Sequence, residues 1–378
     1  MEVYLDNSAT TRVRPEVAGR MVEMMTREYG NPSSLHRKGF LAEQAVKEAR
    51  EQLAAVLSAA PGELLFTSCG SESNNLAILG YCRGNKRAGD KIVTTQVEHE
   101  SVLAPARQLA AEGYEVAYAA PRPDGTVDPR AVADQVDGRT ALVSVMAVNS
   151  ETGAINDLEA IARLAKEKHP GVRVHCDGVQ AFCKLPLNPR RMGVDLLTAS
   201  AHKIHGPKGA ALLYAAQGVR LAPLYYGSGQ ERGLHPGTEN TPAICGFGLA
   251  AQLLWREHDK NWQKMETLSR LLREKCSQIP GVCINSPINA APYIMNLSIP
   301  SVRSEVMIHF LEESDIYVSS GSACAKGRPS HVLAAMGLPR DRIDGALRVS
   351  FSEENTPEDV DAFCRTLAEG LRTLAGRR

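Results

Sequence analysis

VRVHCDGVQ (residues 172–180) and LLTASAHKIHGPKG (196–209) decide how the chain is read. Each opens on a short apolar run, Val172–His175 and Leu196–Ala199, and turns polar at its carboxyl end. Runs of that length, bounded by Gly and Pro, read as buried strands rather than helices. Open α/β sheets gather their ligand groups at the carboxyl ends of such strands.

Working outward, similar runs stand at Glu63–Thr67, Lys91–Thr95, Glu115–Ala119, Ala141–Val148 and Ala210–Tyr214. Helical patterns separate several of them, at Ser73–Tyr81, Ser101–Ala111 and Leu158–Lys168. This alternation predicts an α/β fold with a mainly parallel sheet covered by helices. Two amphipathic helices precede it, from Pro15 to about Tyr29 and from about Phe40 to Leu57, with the turn chemistry of GNPSSLHRKG (30–39) between them. Residues 15–250 are expected to form the large unit. Residues 255–378, joined by 1–14, are expected to form a smaller α+β domain with a helix, one or two strands and another helix.

The bulk numbers exclude several classes. The 378 residues carry 43 basic and 43 acidic side chains, so no nucleic acid or acidic polymer is expected as a direct partner. No long apolar stretch suits a membrane span, and MEVYLDNSATT at the start lacks an apolar signal core. The expectation is a cytoplasmic protein. Nine cysteines, an odd number with no CxxC pair, suggest neither a disulfide framework nor a zinc site.

Lys203 leaves a buried strand among Ser200, His202 and a Gly-Pro turn. Most lysines are solvated surface groups; one at this position is a natural nucleophile for an aldehyde cofactor. Asp177 stands 26 residues earlier, one βα unit back. It could simply cap the next helix, or it could keep the ring nitrogen of pyridoxal 5'-phosphate (PLP) protonated. Gln180 could bond that ring's hydroxyl. FTSCGSES (66–73) runs from a strand through small residues into a helix, so the N–H groups of Gly70 and Ser71 could cradle a phosphate, helped by Ser200 and His202. His99 follows another strand and could stack on a flat ring and move protons. SSGSACAKGRPSH (319–331) is too rich in small residues for a core, which makes Cys324, near Lys326 and Arg328, a candidate reactive thiol.

Together these motifs resemble the cysteine desulfurases, PLP enzymes of fold type I. The resemblance runs over nearly the whole chain: YLDNSATT (4–11), GNPSSLH (30–36), TSCGSESNN (67–75), Glu98-His99, Val148-Asn149, HCDGVQ (175–180), SAHKIHGPKG (200–209), GQERG (229–233), GTEN (237–240) and SSGSAC (319–324). It implies a seven-stranded sheet in the large domain and PLP held covalently by Lys203. It places Asp177 at the pyridine nitrogen, Gln180 at the ring hydroxyl and His99 on the ring face. Gly70, Ser71, Ser200 and His202 take the phosphate, with Thr238 from the second subunit of a homodimer. Asn149 lies near cofactor and substrate, and Arg348 receives the carboxylate of L-cysteine. Cys324 takes the sulfur as a persulfide and passes it to an acceptor protein, a cluster-assembly scaffold or a tRNA-thiolation enzyme.

Three departures stand out. Cys69 replaces a common glycine and Ser71 a common threonine, which keeps a hydroxyl. His235-Pro236 stands where Arg-Ser is frequent. The run from Cys324 to Pro329-Ser330 is shorter than in long-loop members. Selenocysteine lyases and aminotransferases of the same fold need no loop cysteine, and a non-catalytic scaffold needs none of Lys203, Asp177, His99 and Cys324.

Overall fold

The structure, a computed structural model, describes residues 2–321 and 329–375. A short strand β1 (Val3–Tyr4) begins the chain. The predicted runs then become β2 (Leu64–Thr67), β3 (Lys91–Thr95), β4 (Glu115–Ala119), β5 (Thr140–Met146), β6 (Arg173–Asp177), β7 (Leu196–Ser200) and β8 (Ala211–Ala215). They form one seven-stranded sheet in the order β2-β8-β7-β6-β5-β3-β4. Only β8 runs against both its neighbours; the pairs from β7 to β4 are parallel. Every residue of β5, β7 and β8 is buried, which is why these strands read as unbroken apolar runs without alternation.

Parallel pairing puts the carboxyl ends of β5, β6 and β7 side by side. Met146 faces Asp177 and Asp177 faces Thr198 across the ladder. The helices Leu158–Lys168 and Glu100–Ala111 cover the sheet, the first capped by Asp157 and the second by His99. A helix at Thr241–Arg256 packs against Pro15–Thr26 and Arg37–Leu57. Sequence periodicity misses it because it is apolar nearly all round, buried at Ala243, Ile244, Cys245, Phe247 and Ala251. Its approach to Arg37–Leu57 is close: a Cβ at Gly248 would lie 2.7 Å from Ala49 Cα.

The carboxyl-terminal third holds more strands than the one or two predicted. β9 (Cys283–Ile284), β10 (Ile294–Ser298) and β12 (Ala346–Ser350) make an antiparallel sheet in the order β12-β10-β9, while β11 (Ile316–Tyr317) pairs in parallel with β1. Two-residue strands such as β9 and β11 are too short to leave a periodic signal. The helix His258–Ser277 packs on β9, and Pro357–Ala375 packs on that helix and on β1. Among the described residues no helix is long and apolar enough to cross a membrane, and no group of His, Cys, Asp and Glu could hold a metal ion.

Candidate active site

A cavity of about 220 Å³ opens where β5, β6 and β7 end. Asp177, the last residue of β6, lies on its floor. Its Oδ2 accepts from Asn74 Nδ2 at 2.8 Å and its Oδ1 from the Val179 amide at 3.0 Å. These bonds fix the carboxylate plane.

Lys203 enters from the tight turn Ala201–Lys203 that follows β7. Its Nζ donates to the Ala9 carbonyl at 2.8 Å and to the Ser8 carbonyl. Burial pushes the amine down to about 7, helped by the positive charges of Arg348 and Lys184 and opposed by Asp6 and Asp177. A good part of the Lys203 population is therefore an unprotonated nucleophile near neutral pH.

His99 caps the helix Glu100–Ala111, its Nδ1 accepting from the Ser101 amide at 3.1 Å. That bond makes Nδ1 the acceptor, so the proton of the neutral ring sits on Nε2. Burial lowers the His99 pKa, against the pull of Asp177, and keeps the ring neutral.

The phosphate turn is equally defined. Cys69 is extended at the head of the helix beginning at Gly70 and offers no side-chain cap, so the first helical amides have no partner from it. Gly70 is required: a Cβ there would sit 2.9 Å from Val179 Cγ2. Ser71, Ser200 and His202 line the same end of the cavity. His202 is held neutral, its pKa pushed down to about 3 by burial and by Lys203, Lys208 and Lys184.

Arg348, on β12, closes the other side. Its guanidinium is almost fully buried, with Nη2 donating to Asp6 Oδ1 at 2.8 Å and Nη1 to the Ser150 carbonyl at 3.0 Å. Its Nε has no partner among the described residues.

Four further buried oxygens on the wall lack partners among the described residues: Gln180 Oε1, Ser200 Oγ, Ser8 Oγ and Asn74 Oδ1. Gln180 Nε2 is committed to the Ser8 carbonyl at 3.0 Å, so Oε1 is left as an acceptor. Buried polar atoms without partners mark where a ligand supplies them. A carboxylate, an unprotonated lysine, a flat neutral imidazole and a helix N-terminus with spare donors are the set that PLP needs, and this wall fits it.

Not every predicted residue reaches the cavity. Asn149 stands behind the wall: Nδ2 donates to the Val97 carbonyl at 3.0 Å and Oδ1 accepts from the amides of Glu151 and Thr152 at 2.9 Å each. Its amide is spent on the turn after β5. Thr238 is exposed and does not line the cavity of its own chain. Cys324 lies outside the described residues, but the segments flanking it do not. Ser319 and Arg348 exchange backbone bonds of 3.3 and 2.6 Å, Ser330 Oγ donates to Glu151 Oε2, and His331 Nε2 donates to the Glu98 carbonyl at 2.9 Å. The chain thus leaves and rejoins the described structure at the cavity wall.

Sequence reasoning missed Asn74 and Ser8, whose partners are distant in the chain. His235, one of the departures from the family pattern, pairs with Glu72 at 2.7 Å. Hydrogen bonds from His235, Ser68 and Tyr225 outweigh burial and hold Glu72 down at about 2.

Known proteins resemble the chain over nearly its whole length. The model of the aminotransferase class-V family matches residues 3–363. The curated cysteine desulfurase IscS of Clostridium botulinum is 39% identical over 377 residues, covering 98% of this chain and 94% of that protein. A cysteine desulfurase of Trichormus azollae is 41% identical over 378 residues, covering 98% and 93%. The solved structure of a NifS-like protein superposes with a TM-score of 0.94 at 37% identity, covering 99% of this chain and 100% of that one.

Proposed function

Because the chain belongs to the class-V aminotransferase family, among its PLP-dependent cysteine desulfurases, we propose that it takes the sulfur of L-cysteine onto Cys324 and releases L-alanine. The observation that carries this reading is the meeting of Lys203, Asp177 and His99 in one cavity whose buried oxygens, among them Gln180 Oε1 and Ser200 Oγ, have no partner among the described residues. PLP bound there supplies an electron sink that makes the α-carbon of cysteine acidic.

The side chains divide the remaining work. Asp177, fixed by Asn74 and Val179, holds a proton on the ring nitrogen. Gln180 Oε1 accepts from the ring hydroxyl. Gly70, Ser71, Ser200 and His202 bind the phosphate, and Thr238 of a second subunit completes that end. Arg348 binds the substrate carboxylate, with Asp6 and the Ser150 carbonyl keeping its fork in place. Lys203 Nζ takes the α-proton and returns one to the product carbon. The Cys324 thiolate attacks the substrate sulfur; an S–S bond forms, the C–S bond breaks, and its electron pair ends on carbon, which is protonated to alanine. Asn149 shapes the wall from behind.

The working enzyme is a cytoplasmic homodimer that hands the persulfide to an acceptor protein of cluster assembly or tRNA thiolation. Residues 15–250 form the cofactor-binding domain, and 1–14 with 255–378 form the domain that carries Cys324. Incubating the pure protein with L-cysteine tests the reading: alanine and protein-bound sulfur should appear in equal amounts in a single turnover. Pyruvate without alanine would reject it.

A further inference from the structure

Behind the cavity lies a second, water-sized void of about 20 Å³. Lys203 reaches both spaces, and Lys184 lines only the second. Lys184 is 9% exposed, yet no carboxylate oxygen among the described residues stands within ion-pair distance of its ammonium. A buried cation without a counter-ion is destabilising, so the fold keeps it at a penalty.

The local structure holds it there deliberately. Cys183, just before it, is in the left-handed region at φ 59°, a strained conformation for a side chain other than glycine. That kink places Lys184 Nζ 4.5 Å from the centre of the Tyr293 ring, whose π face partly offsets the missing anion. His258 Nε2 donates to the Lys184 carbonyl at 3.0 Å, and Trp262 packs edge-on to Tyr293. Tyr293 in turn donates to the Gln180 carbonyl at 2.8 Å, so the same frame touches the wall of the main cavity.

We propose that Lys184 is a positioning residue for Lys203, its buried ammonium holding the Lys203 nitrogen unprotonated across the void they share. This inference rests on the reading of Lys203 as the cofactor lysine. The charges around the pair are consistent with it. From the void, Lys184 meets Glu353, His205, His258 and the Cys183 thiol. Glu353 is already taken by Arg14 and by His205 at 3.1 Å, so it neutralises Lys184 poorly. From the main cavity, Lys203 meets Arg348, Asp6 and Asp177, with His99 and His202 neutral beside it. The Arg348 charge is paired with Asp6 at 2.8 Å. Among the described residues, Lys184 is therefore the cation acting on Lys203 whose field no bonded carboxylate cancels.

The test uses the holoenzyme without substrate. The pH titration of its cofactor absorbance reports the proton on the Lys203 linkage. Lys184→Met removes the charge and keeps an apolar stem of similar length on Tyr293. Its midpoint should rise by about half to one pH unit, whereas Lys184→Arg should stay at the wild-type midpoint. The thermal midpoint of Lys184→Met should not fall, since an unpaired buried charge has gone. Should Met not fold, Lys184→Gln is judged by the same shift. An unmoved midpoint in the folded neutral variant overturns the inference and leaves Lys203's role intact, provided borohydride fixes pyridoxyl on Lys203. Pyridoxyl on another lysine overturns both.

Discussion

Asn74 Nδ2 lies 2.8 Å from Asp177 Oδ2 and the same nitrogen lies 2.8 Å from Ser101 Oγ, beside the cap that fixes His99. One amide thus ties Asp177, proposed for the ring nitrogen, to the helix cap that holds His99, proposed for the ring face. Its Oδ1 has no partner among the described residues, where the amide serves these two contacts. Replacing Asn74 with Ala should weaken PLP binding by about 1–2 kcal/mol, a factor of about 5–30, while leaving the fold unchanged. Cofactor titration followed by absorbance measures it. Unchanged affinity would show that Asp177 needs no such support.

Lys203 should carry the cofactor. The purified protein should be yellow, borohydride should bleach the band, and peptide mapping should find pyridoxyl on Lys203. Lys203→Ala should bind PLP without a covalent band. A wild type that stays colourless in excess PLP would remove the basis of the cofactor site.

Gly70→Ala should disturb the phosphate turn, because the new methyl would meet Val179 Cγ2 at 2.9 Å. A loss of about 1–3 kcal/mol in PLP affinity is expected. Cys69→Gly, which changes an exposed side chain that caps nothing, should leave affinity within about twofold. Equal effects at the two positions would contradict the placement of the anion at the Gly70 amide.

Glu98 sets a pH signature. Burial and the charge of Asp177 hold its carboxyl up at about 8, against the Met146 amide and the Thr95 hydroxyl. Its folded pKa is raised, so its contribution is fully present below the unfolded value of about 4.3 and is lost as pH rises through about 8. Glu98→Gln mimics the protonated group. The variant should gain stability relative to the wild type as pH increases from about 5 to 8, measured by urea unfolding. A gap that is constant with pH would mean that Glu98 is ionised in the fold.

Much of this was legible before any coordinates. The strands other than the half-exposed edge strand β4 were readable because strands buried on both faces are continuous apolar runs, cut by Gly and Pro. Asp177 and Lys203 were readable because each sits within a few residues of a strand end. Asn74 and Ser8 lie inside quoted motifs, but their roles were not readable, since their partners Asp177 and Lys203 are distant in the chain; Lys184 stands in no motif. Asn149 shows the limit of a motif: the residue is in the expected turn, but its amide is committed to the backbone there. The helix Thr241–Arg256 was hidden by being buried on most sides, and β9 and β11 by their length.

The most direct test of the account is the fate of the sulfur. After a short pulse of L-cysteine, non-reducing mass spectrometry should find one added sulfur on the peptide that contains Cys324 and on no other cysteine peptide. Cys324→Ser should still change the cofactor spectrum when cysteine is added, because Lys203 and Arg348 remain, yet form alanine at only a small fraction of the wild-type rate. Added sulfur on a different cysteine, or normal alanine formation by Cys324→Ser, would contradict the assignment of Cys324 as the sulfur acceptor.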